Sequence, residues 1–465
     1  MKHAWLTFAA ALLSFCVNAQ DSTKAFVHVR NINVEGNRRT KPHIVFRQLT
    51  FAQGDSVLLD VLLKEFDKSR KQLLNIGLFT DAALNISNWI DDSVDVKITV
   101  WERWYTLPGV TLDIYDRNFN TWWVEHDHDW RRVQYGIRFL QQNVRGRDED
   151  LTLTALFGFA QRFDAGYHFP YVNNKMTLGL KTSAFFARQR QVTYDNYYNK
   201  DRFHVDIDRF IRNTWGAQTE LIYKPRFHFR QHVALSYNDS RVADTIVALN
   251  PNYFREGSNQ QRQLALRLST VYDKRDWAAY PFKGYYLEGS VTKTGLGILN
   301  DEANVFTLVG VYQHYQQWGK RFFTAYQLKG KHSLPNHQPY YNLKGLGYRS
   351  DYVSGYEYYV VDGPSFALGK VQAKVLMFTL NFPVMRLLRK QDVKIPIHFL
   401  AKAYADAGYV SDYSNLPKNL LADTWMTGTG VGLDVATAYD FAVKFEYSVN
   451  RRGEKGLFLH FAGSF

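Results

Sequence analysis

The sequence predicts a membrane β-barrel of about sixteen antiparallel strands preceded by one small α+β domain. Three observations predict it. The chain opens on an apolar leader. Its first hundred residues mix helical and strand periodicity. The remainder alternates apolar and polar residues in aromatic-rich segments, with no apolar run after the leader long enough for a membrane helix.

The leader comes first. Residues 1–20 read MKHAWLTFAAALLSFCVNAQ, with Lys2 and His3 as a short basic start and an apolar stretch over 4–17. Val17, Asn18 and Ala19 then offer small residues for cleavage, so residues 1–19 read as a secretory signal peptide. Lipidation at Cys16 is disfavoured by the bulky Phe15 before it. Cys16 is the only cysteine, so the exported chain is expected to have neither disulfides nor thiol chemistry. The formal net charge is +13. For an exported protein this excess points to acidic lipid head groups or glycolipid rather than nucleic acid, and most of it is assigned to solvated loops.

Residues 25–103 read as the small domain. A strand in FVHVRNINVEGNRRT ends at the turn Gly36-Asn37. Pro42 opens KPHIVFRQL, which suits a first helical turn. Leu59, Leu62, Leu63, Phe66, Leu73 and Leu74 fall at helical spacing, and Gly77 supplies the C-cap. Two strands follow, the second with Val94, Val96, Ile98 and Val100 on one face. The order β-α-α-β-β is long enough for one small core. With Ile32, Val34, Gly36, Asn37, Thr40, Gly54, Asp55, the helix through Leu73, and Gly77, Leu78 and Phe79, this segment resembles a POTRA domain. The resemblance implies a periplasmic module that binds client polypeptide or partner proteins, often by strand addition at a sheet edge.

Trp101, Trp104 and Tyr105 in VWERWYTLPG are placed where an interfacial aromatic girdle would lie. Pro108-Gly109 is expected to break the chain before the first barrel strand, giving a barrel over 108–465. At roughly ten residues per strand plus turns, that length accommodates about sixteen strands. Aromatics make up 16% of the chain, with 30 Tyr and 33 Phe, while the mean hydropathy is slightly polar. That combination fits strands with one face in lipid and one in a polar lumen.

The alternation is visible residue by residue. Phe441, Val443, Phe445, Tyr447 and Val449 share one face, and Lys444 and Glu446 the other. Phe445 is expected to face lipid; Glu446 is expected to face a wet lumen that tolerates a cationic replacement. Met176, Leu178, Leu180, Ala184 and Phe186 share a face, as do Leu264, Leu266, Leu268 and Tyr272, and Phe229, Val233, Leu235 and Tyr237. In the last strand Leu457, Leu459, Phe461, Gly463 and Phe465 align. Such a strand, ending in an aromatic, resembles the assembly signal of bacterial outer-membrane barrels.

The region after Pro108 resembles the barrel of the BamA/TamA superfamily, whose members insert or translocate polypeptides at outer membranes. NVRGRDEDLTL from Asn143 resembles an early hairpin motif of the family, and YDKRDWAAYPFKGYYLEGS from Tyr272 resembles its D-x-R-D…P-x-x-G pattern. AYADAGYV places Tyr404, Asp406 and Gly408 in its barrel-wall motif. Val353, Ser354, Gly355 and Tyr356 occupy the place of its V-R-G-F/Y loop, which in the family folds into the lumen and sets an arginine against the wall carboxylate. Ser354 stands where that arginine is expected, so Asp406 is left needing a partner. Arg349 is the nearest substitute, and the alternative is an Asp406 that is simply hydrated in a wet lumen.

Other constellations carry less. His126 and His128 in VEHDHDW are read as part of a hydrated loop rather than a metal site. No nucleophile elbow, phosphate loop or zinc-protease motif occurs, so neither catalysis nor a cofactor is expected. The resemblance implies a bacterial outer-membrane barrel with its N-terminal domain in the periplasm. It would handle unfolded client polypeptides through a seam between first and last strands, with periplasmic or lipoprotein partners. The alternative is a passive pore or structural barrel on a periplasmic tether.

Overall fold

The computed structural model describes residues 26–461 apart from 174, 227, 279, 300–302, 384–393, 413–418 and 438–440. The leader, Gly463 and Phe465 therefore lie outside the described residues. The chain forms two units. One holds the chain through Tyr105 together with Gln142–Glu149; the other holds Thr106–Gln141 and Asp150–Phe465.

The small unit runs β1 (Phe26–Glu35), α1 (Pro42–Phe46), β2 (Ser56–Leu58), α2 (Leu59–Asn75), β3 (Phe79–Ile90) and β4 (Ser93–Glu102). Its sheet has the order β2-β1-β4-β3, with β1 and β4 parallel. Strand β2 is an addition to the expected order. Ser56, Val57 and Leu58 pair with the start of β1 before the helix begins. Alternate residues of β4, Val94, Val96, Ile98 and Val100, are buried, as are Leu62, Phe66 and Leu73 of α2. Leu63, from the same leucine series, is instead exposed on the outer face of the helix. Pro42 sits in the first turn of α1, and Gly77 closes α2 with φ +76°. Gly36 also has positive φ, and a Cβ there would lie 2.0 Å from the Val100 carbonyl oxygen, so only glycine fits this turn.

Thr40 is the hub of this unit. Its hydroxyl donates to the Glu102 carboxylate at 2.7 Å, accepts from Asn143 Nδ2 at 2.9 Å and lies 3.0 Å from the Tyr105 hydroxyl. Asn143 takes positive φ and accepts the Asp148 N–H through its side chain; Gly146 accepts the Lys41 N–H. Tyr105 is thus buried in the small unit and does not stand on an aromatic girdle. Trp101 and Trp104 are exposed.

The large unit contributes β5 (Thr106–Ile114), β6 (Val133–Gln141), β7 (Asp150–Gly158), β8 (Ala160–Phe169), β9 (Leu178–Gln189), β10 (Gln191–Tyr197), β11 (Lys200–Val205), β12 (Arg212–Arg226), β13 (Phe229–Val242), β14 (Gln260–Asp273), β15 (Gly284–Thr294), β16 (Val305–Trp318) and β17 (Phe322–Leu334). It continues with α3 (Asp244–Leu249) between β13 and β14, then β18 (Ser365–Pro383), β19 (Lys394–Ser411), β20 (Met426–Thr437), β21 (Phe441–Asn450) and β22 (Lys455–Phe461). Sixteen of these strands form one antiparallel barrel sheet running in chain order from β5 to β22, and β10-β11 is a separate hairpin. Pro108 and Gly109 do not break the chain before the barrel. They lie inside β5, opposite Phe139 and Arg138. β5 is a terminal strand of the sheet order, where proline removes no ladder bond on its unpaired side.

The alternation holds along the strands. On β21, Phe445 and Tyr447 are exposed on the outside, whereas Lys444, Glu446, Ser448 and Asn450 are buried on the inside. Leu266, Leu268, Val233, Leu235 and Phe186 are likewise exposed. Met176 is the exception in its series, since it sits in the turn before β9 with positive φ.

Candidate functional site

The inner face of β18 to β22 carries a folded loop. Residues 349–363 connect toward β18, and within them Val353, Ser354, Tyr356, Glu357, Val360, Val361 and Asp362 are all buried. Leu346, Val353, Tyr356 and Val361 pack with Phe366 and Leu368 of β18, Val410 of β19 and Met426 of β20. The backbone of the wall is bare where the loop lies. A Cβ on Gly428 would stand 1.8 Å from the Ser354 carbonyl oxygen, and one on Gly408 would meet Val353 and Leu346 at 2.5 and 2.7 Å. Gly355 adopts φ +84° against Asn450, whose side-chain amide donates to the Gly355 carbonyl at 2.8 Å.

Asp406 is the anchor. Its carboxylate accepts the Ser354 hydroxyl at 2.5 Å and the Ser354 N–H at 3.1 Å. Lys370, its register partner on β18, approaches to 3.6 Å and lies over the Tyr352 ring at 4.0 Å. The nearest substitute in sequence, Arg349, does not pair with Asp406, and Asp406 is not left to water alone. It lines a separate cavity of about 1060 Å³ with Tyr115, Arg117 and Lys344. The residue read as the defect in the motif, Ser354, is the one that holds the carboxylate. A hydroxyl and an N–H from one residue do locally what a long guanidinium does from farther away. Tyr404 of the wall motif is buried, with its hydroxyl 2.8 Å from that of Ser448, and Gly408 lies under Val353.

A second constellation, below this anchor on the same wall, was not singled out by motif. Tyr280 donates to Asp434 at 2.6 Å and accepts from Lys374 at 3.0 Å. Lys402 bridges Asp434 at 2.6 Å and Glu446 at 2.5 Å, and Glu446 accepts from His460 at 2.6 Å. All these side chains are buried. Glu446 therefore faces inward as expected, but into an ion-pair network rather than open water. Inward alternation was the one sequence signal for it. The network ties β18, β19, β20, β21 and β22 together through side chains as well as through their backbones.

The final strand contacts the loop directly. Tyr352 stacks on His460 with centroids 5.0 Å apart, and Tyr358 packs on Phe458 at 5.5 Å. Leu457 and Phe461 of the terminal pattern are exposed on the outside, and Leu459 is half-buried. In the connection between β5 and β6, His126 approaches Asp116 at 3.3 Å while His128 lies against Trp123 at 4.9 Å, so the two rings face different neighbours. Among the described residues no group of three or more His, Cys, Asp or Glu is gathered as a metal site. In the turn after β14, Arg275 pairs with Asp273 at 2.8 Å, and Gly284 takes φ +102° with the Lys274 carbonyl where a Cβ would be. In the small unit, Gly54 has positive φ and the Asp55 carboxylate accepts the Ala52 N–H at 2.7 Å; Asn37 donates to the Thr40 carbonyl, and Phe79 is fully buried.

Comparison with known proteins decides the family. An Omp85 superfamily domain matches residues 143–461, and the surface antigen variable number repeat, a POTRA domain, matches residues 27–103. The chain belongs to the Omp85 superfamily. Among solved structures it is similar to BamA from Haemophilus ducreyi lacking POTRA domains 1–3, at 14% identity and TM-score 0.61, covering 94% of this chain and 84% of that one. It is also similar to CdiB from Escherichia coli, at 12% identity and TM-score 0.55, covering 94% and 76%. CdiB from Acinetobacter baumannii aligns at 11% identity and TM-score 0.52, covering 94% and 73%. No curated protein matches the sequence. As an Omp85 protein with a POTRA domain, the chain is an outer-membrane β-barrel with its N-terminal domain in the periplasm. Its work is the insertion or translocation of polypeptides at that membrane.

Proposed function

We propose that polypeptide reaches this barrel through the POTRA domain and leaves along the seam between β5 and β22, with the lumen loop as the part that braces the seam from inside. The single observation carrying this reading is the seating of the loop. It is anchored on the wall by Ser354 and Asp406 and rests by Tyr352 and Tyr358 on the final strand. A loop resting on the strand that borders the seam would limit its opening.

In the POTRA domain, β3 is the long edge strand, twelve residues paired on one side only among the described strands, with Trp89 and Ile90 exposed near its end. Such an edge offers main-chain bonds to an extended client or partner segment. Lipid and glycolipid would meet the outer apolar face, and periplasmic or lipoprotein partners would meet the POTRA domain. No step in this reading is catalytic. A passive pore on a tether has less support, because the loop and the buried ion pairs occupy the inner side of β18 to β22.

Depletion of the protein followed by proteomics of the outer membrane tests the reading. The expected result is selective loss of one or a few outer-membrane or exported polypeptides. An unchanged proteome with altered solute permeability would favour the passive pore.

A further inference from the structure

Among the described residues each terminal strand of the barrel sheet, β5 and β22, pairs with a strand on one side only, and the structure places a side chain on the other edge of β22. Leu459 lies opposite Phe445 in the ladder between β22 and β21. In an antiparallel strand alternate residues turn their N–H and C=O away from a given neighbour. Those of Leu459 meet Asn120, from the connection between β5 and β6. The Leu459 N–H donates to Asn120 Oδ1 at 2.8 Å, and Asn120 Nδ2 donates to the Leu459 carbonyl at 3.3 Å. A side-chain amide carries one acceptor and a donor group side by side, as a peptide does, so Asn120 occupies the place of a paired strand residue. It is 4% exposed, which makes this a built contact. Phe119 packs edge-on against Phe461 at 5.8 Å, two ladder positions further along the same face of β22.

The two preceding residues point elsewhere. Arg117 Nη2 donates to the Tyr358 carbonyl at 2.8 Å, and Asn118 Nδ2 donates to the Glu357 carbonyl at 3.1 Å. Both acceptors belong to the lumen loop. Arg117 is also held near Asp201 at 3.4 Å and Glu125 at 3.7 Å, and Asn118 Oδ1 accepts the Thr121 N–H at 2.8 Å. Four consecutive residues thus join the lumen loop, through 117 and 118, to the free edge of the last strand, through 119 and 120.

We propose that residues 117–120 form a latch that closes the β22 edge with the Asn120 amide and ties that closure to the seating of the lumen loop. The occupant that the latched edge excludes is an extended polypeptide strand pairing with the backbone of β22 at Leu459. Such a strand must displace Asn120, and unseating the loop withdraws the support of residues 117 and 118. The inference rests on the seam reading above, which is why its test uses no client.

Nitroxide labels at Val110→Cys on β5 and Leu457→Cys on β22, both lipid-facing and strongly exposed, report the seam width by pulsed electron resonance in the purified full-length barrel in lipid. The unaltered latch gives one narrow distance distribution. Asn120→Ala loses two hydrogen bonds, and a longer-distance population is expected to grow roughly tenfold relative to the short one. Asn118→Asp keeps the acceptor for the Thr121 N–H but loses the donor to Glu357, and it is expected to shift the distribution the same way. The double variant is expected to shift it less than the product of the two. Heat-modifiable migration checks that each barrel is folded; if Asn120→Ala is not, Asn120→Asp, which keeps only the acceptor, is read instead and gives a smaller shift. A folded Asn120 variant with an unchanged distribution overturns the latch. A shift with Asn120→Ala but none with Asn118→Asp overturns the coupling to the loop. A seam that widens in the purified Asn120→Ala barrel, together with an outer-membrane proteome that stays normal on depletion of the protein, leaves the latch standing and removes the polypeptide reading instead.

Discussion

Ser354→Ala probes the anchor of the lumen loop. The substitution removes the hydroxyl that donates to Asp406 at 2.5 Å. A hydrogen bond to a charged group contributes about 1.5–3 kcal/mol. The Ser354 N–H at 3.1 Å and Lys370 at 3.6 Å remain, so the carboxylate is not orphaned and the cost is expected at the low end, about 1.5 kcal/mol. Asp406→Ala is different. It removes the acceptor for both Ser354 donors and the counter-charge of Lys370, whose side chain is only 9% exposed. Breaking a buried pair from one side costs about 3–5 kcal/mol. The double variant should fall short of the sum by at least ~1 kcal/mol, the share that the hydroxyl loses once its acceptor is gone. Arg349→Ala should add to Asp406→Ala without coupling beyond about 0.5 kcal/mol. Urea unfolding of the barrel in lipid, followed by tryptophan fluorescence with a constant denaturant slope, measures the three single and two double variants. Strict additivity of Ser354 with Asp406, together with coupling of Arg349 to Asp406, would refute the anchor.

Other substitutions separate the faces of the wall. Phe445→Arg, on the lipid side, should cost about 2–4 kcal/mol near the membrane midplane, read in the same unfolding assay. Glu446→Arg should cost at least as much, because it strips Lys402 and His460 of their shared carboxylate and sets a second cation beside Lys402; a neutral effect would mean that the inner network is not formed. Gly428→Ala puts a Cβ against the Ser354 carbonyl, so the loop must lift from the wall; a cysteine at Ser354 should then become reactive to a water-soluble thiol reagent in the Gly428→Ala barrel and stay protected otherwise. Deletion of Phe465 should lower the amount of heat-modifiable barrel that accumulates in the outer membrane.

Much of the architecture was legible because it is periodic. Alternation along each strand marked the lipid face, as at Phe445 and Tyr447, and helical spacing marked Leu62, Phe66 and Leu73. Turn glycines such as Gly36 and Gly77 announced themselves through the positive φ they supply. The errors arose where a local rule met a tertiary one. Pro108-Gly109 reads as a breaker, yet an edge strand accommodates it. Tyr105 has the composition of a girdle residue, yet Thr40 and the Leu78 carbonyl bind its hydroxyl inside the POTRA domain. A three-residue β2 is too short to carry a period of its own.

The site was legible in outline and wrong in its chemistry. Motif positions mark the loop and Asp406, but proximity in sequence points only as far as Arg349, whereas the backbone turn at Gly355 brings Ser354 itself to the carboxylate. The Glu446 network and the contacts of residues 117–120 join positions far apart in the chain. Asn120 and Leu459 are 339 residues apart, and no spacing or period in one sequence announces such a pair.

The central claim is that polypeptide passes at the seam between β5 and β22. Photo-crosslinking residues placed at Val110, at Leu457 and at Leu287 on β15 test it most directly, because all three positions are exposed on the lipid face and only the first two lie on the terminal strands. In cells actively building their outer membrane, Val110 and Leu457 should give adducts with newly exported polypeptides, and Leu287 should give none. Equal polypeptide adducts at all three positions, or none at the two terminal strands, would contradict the account.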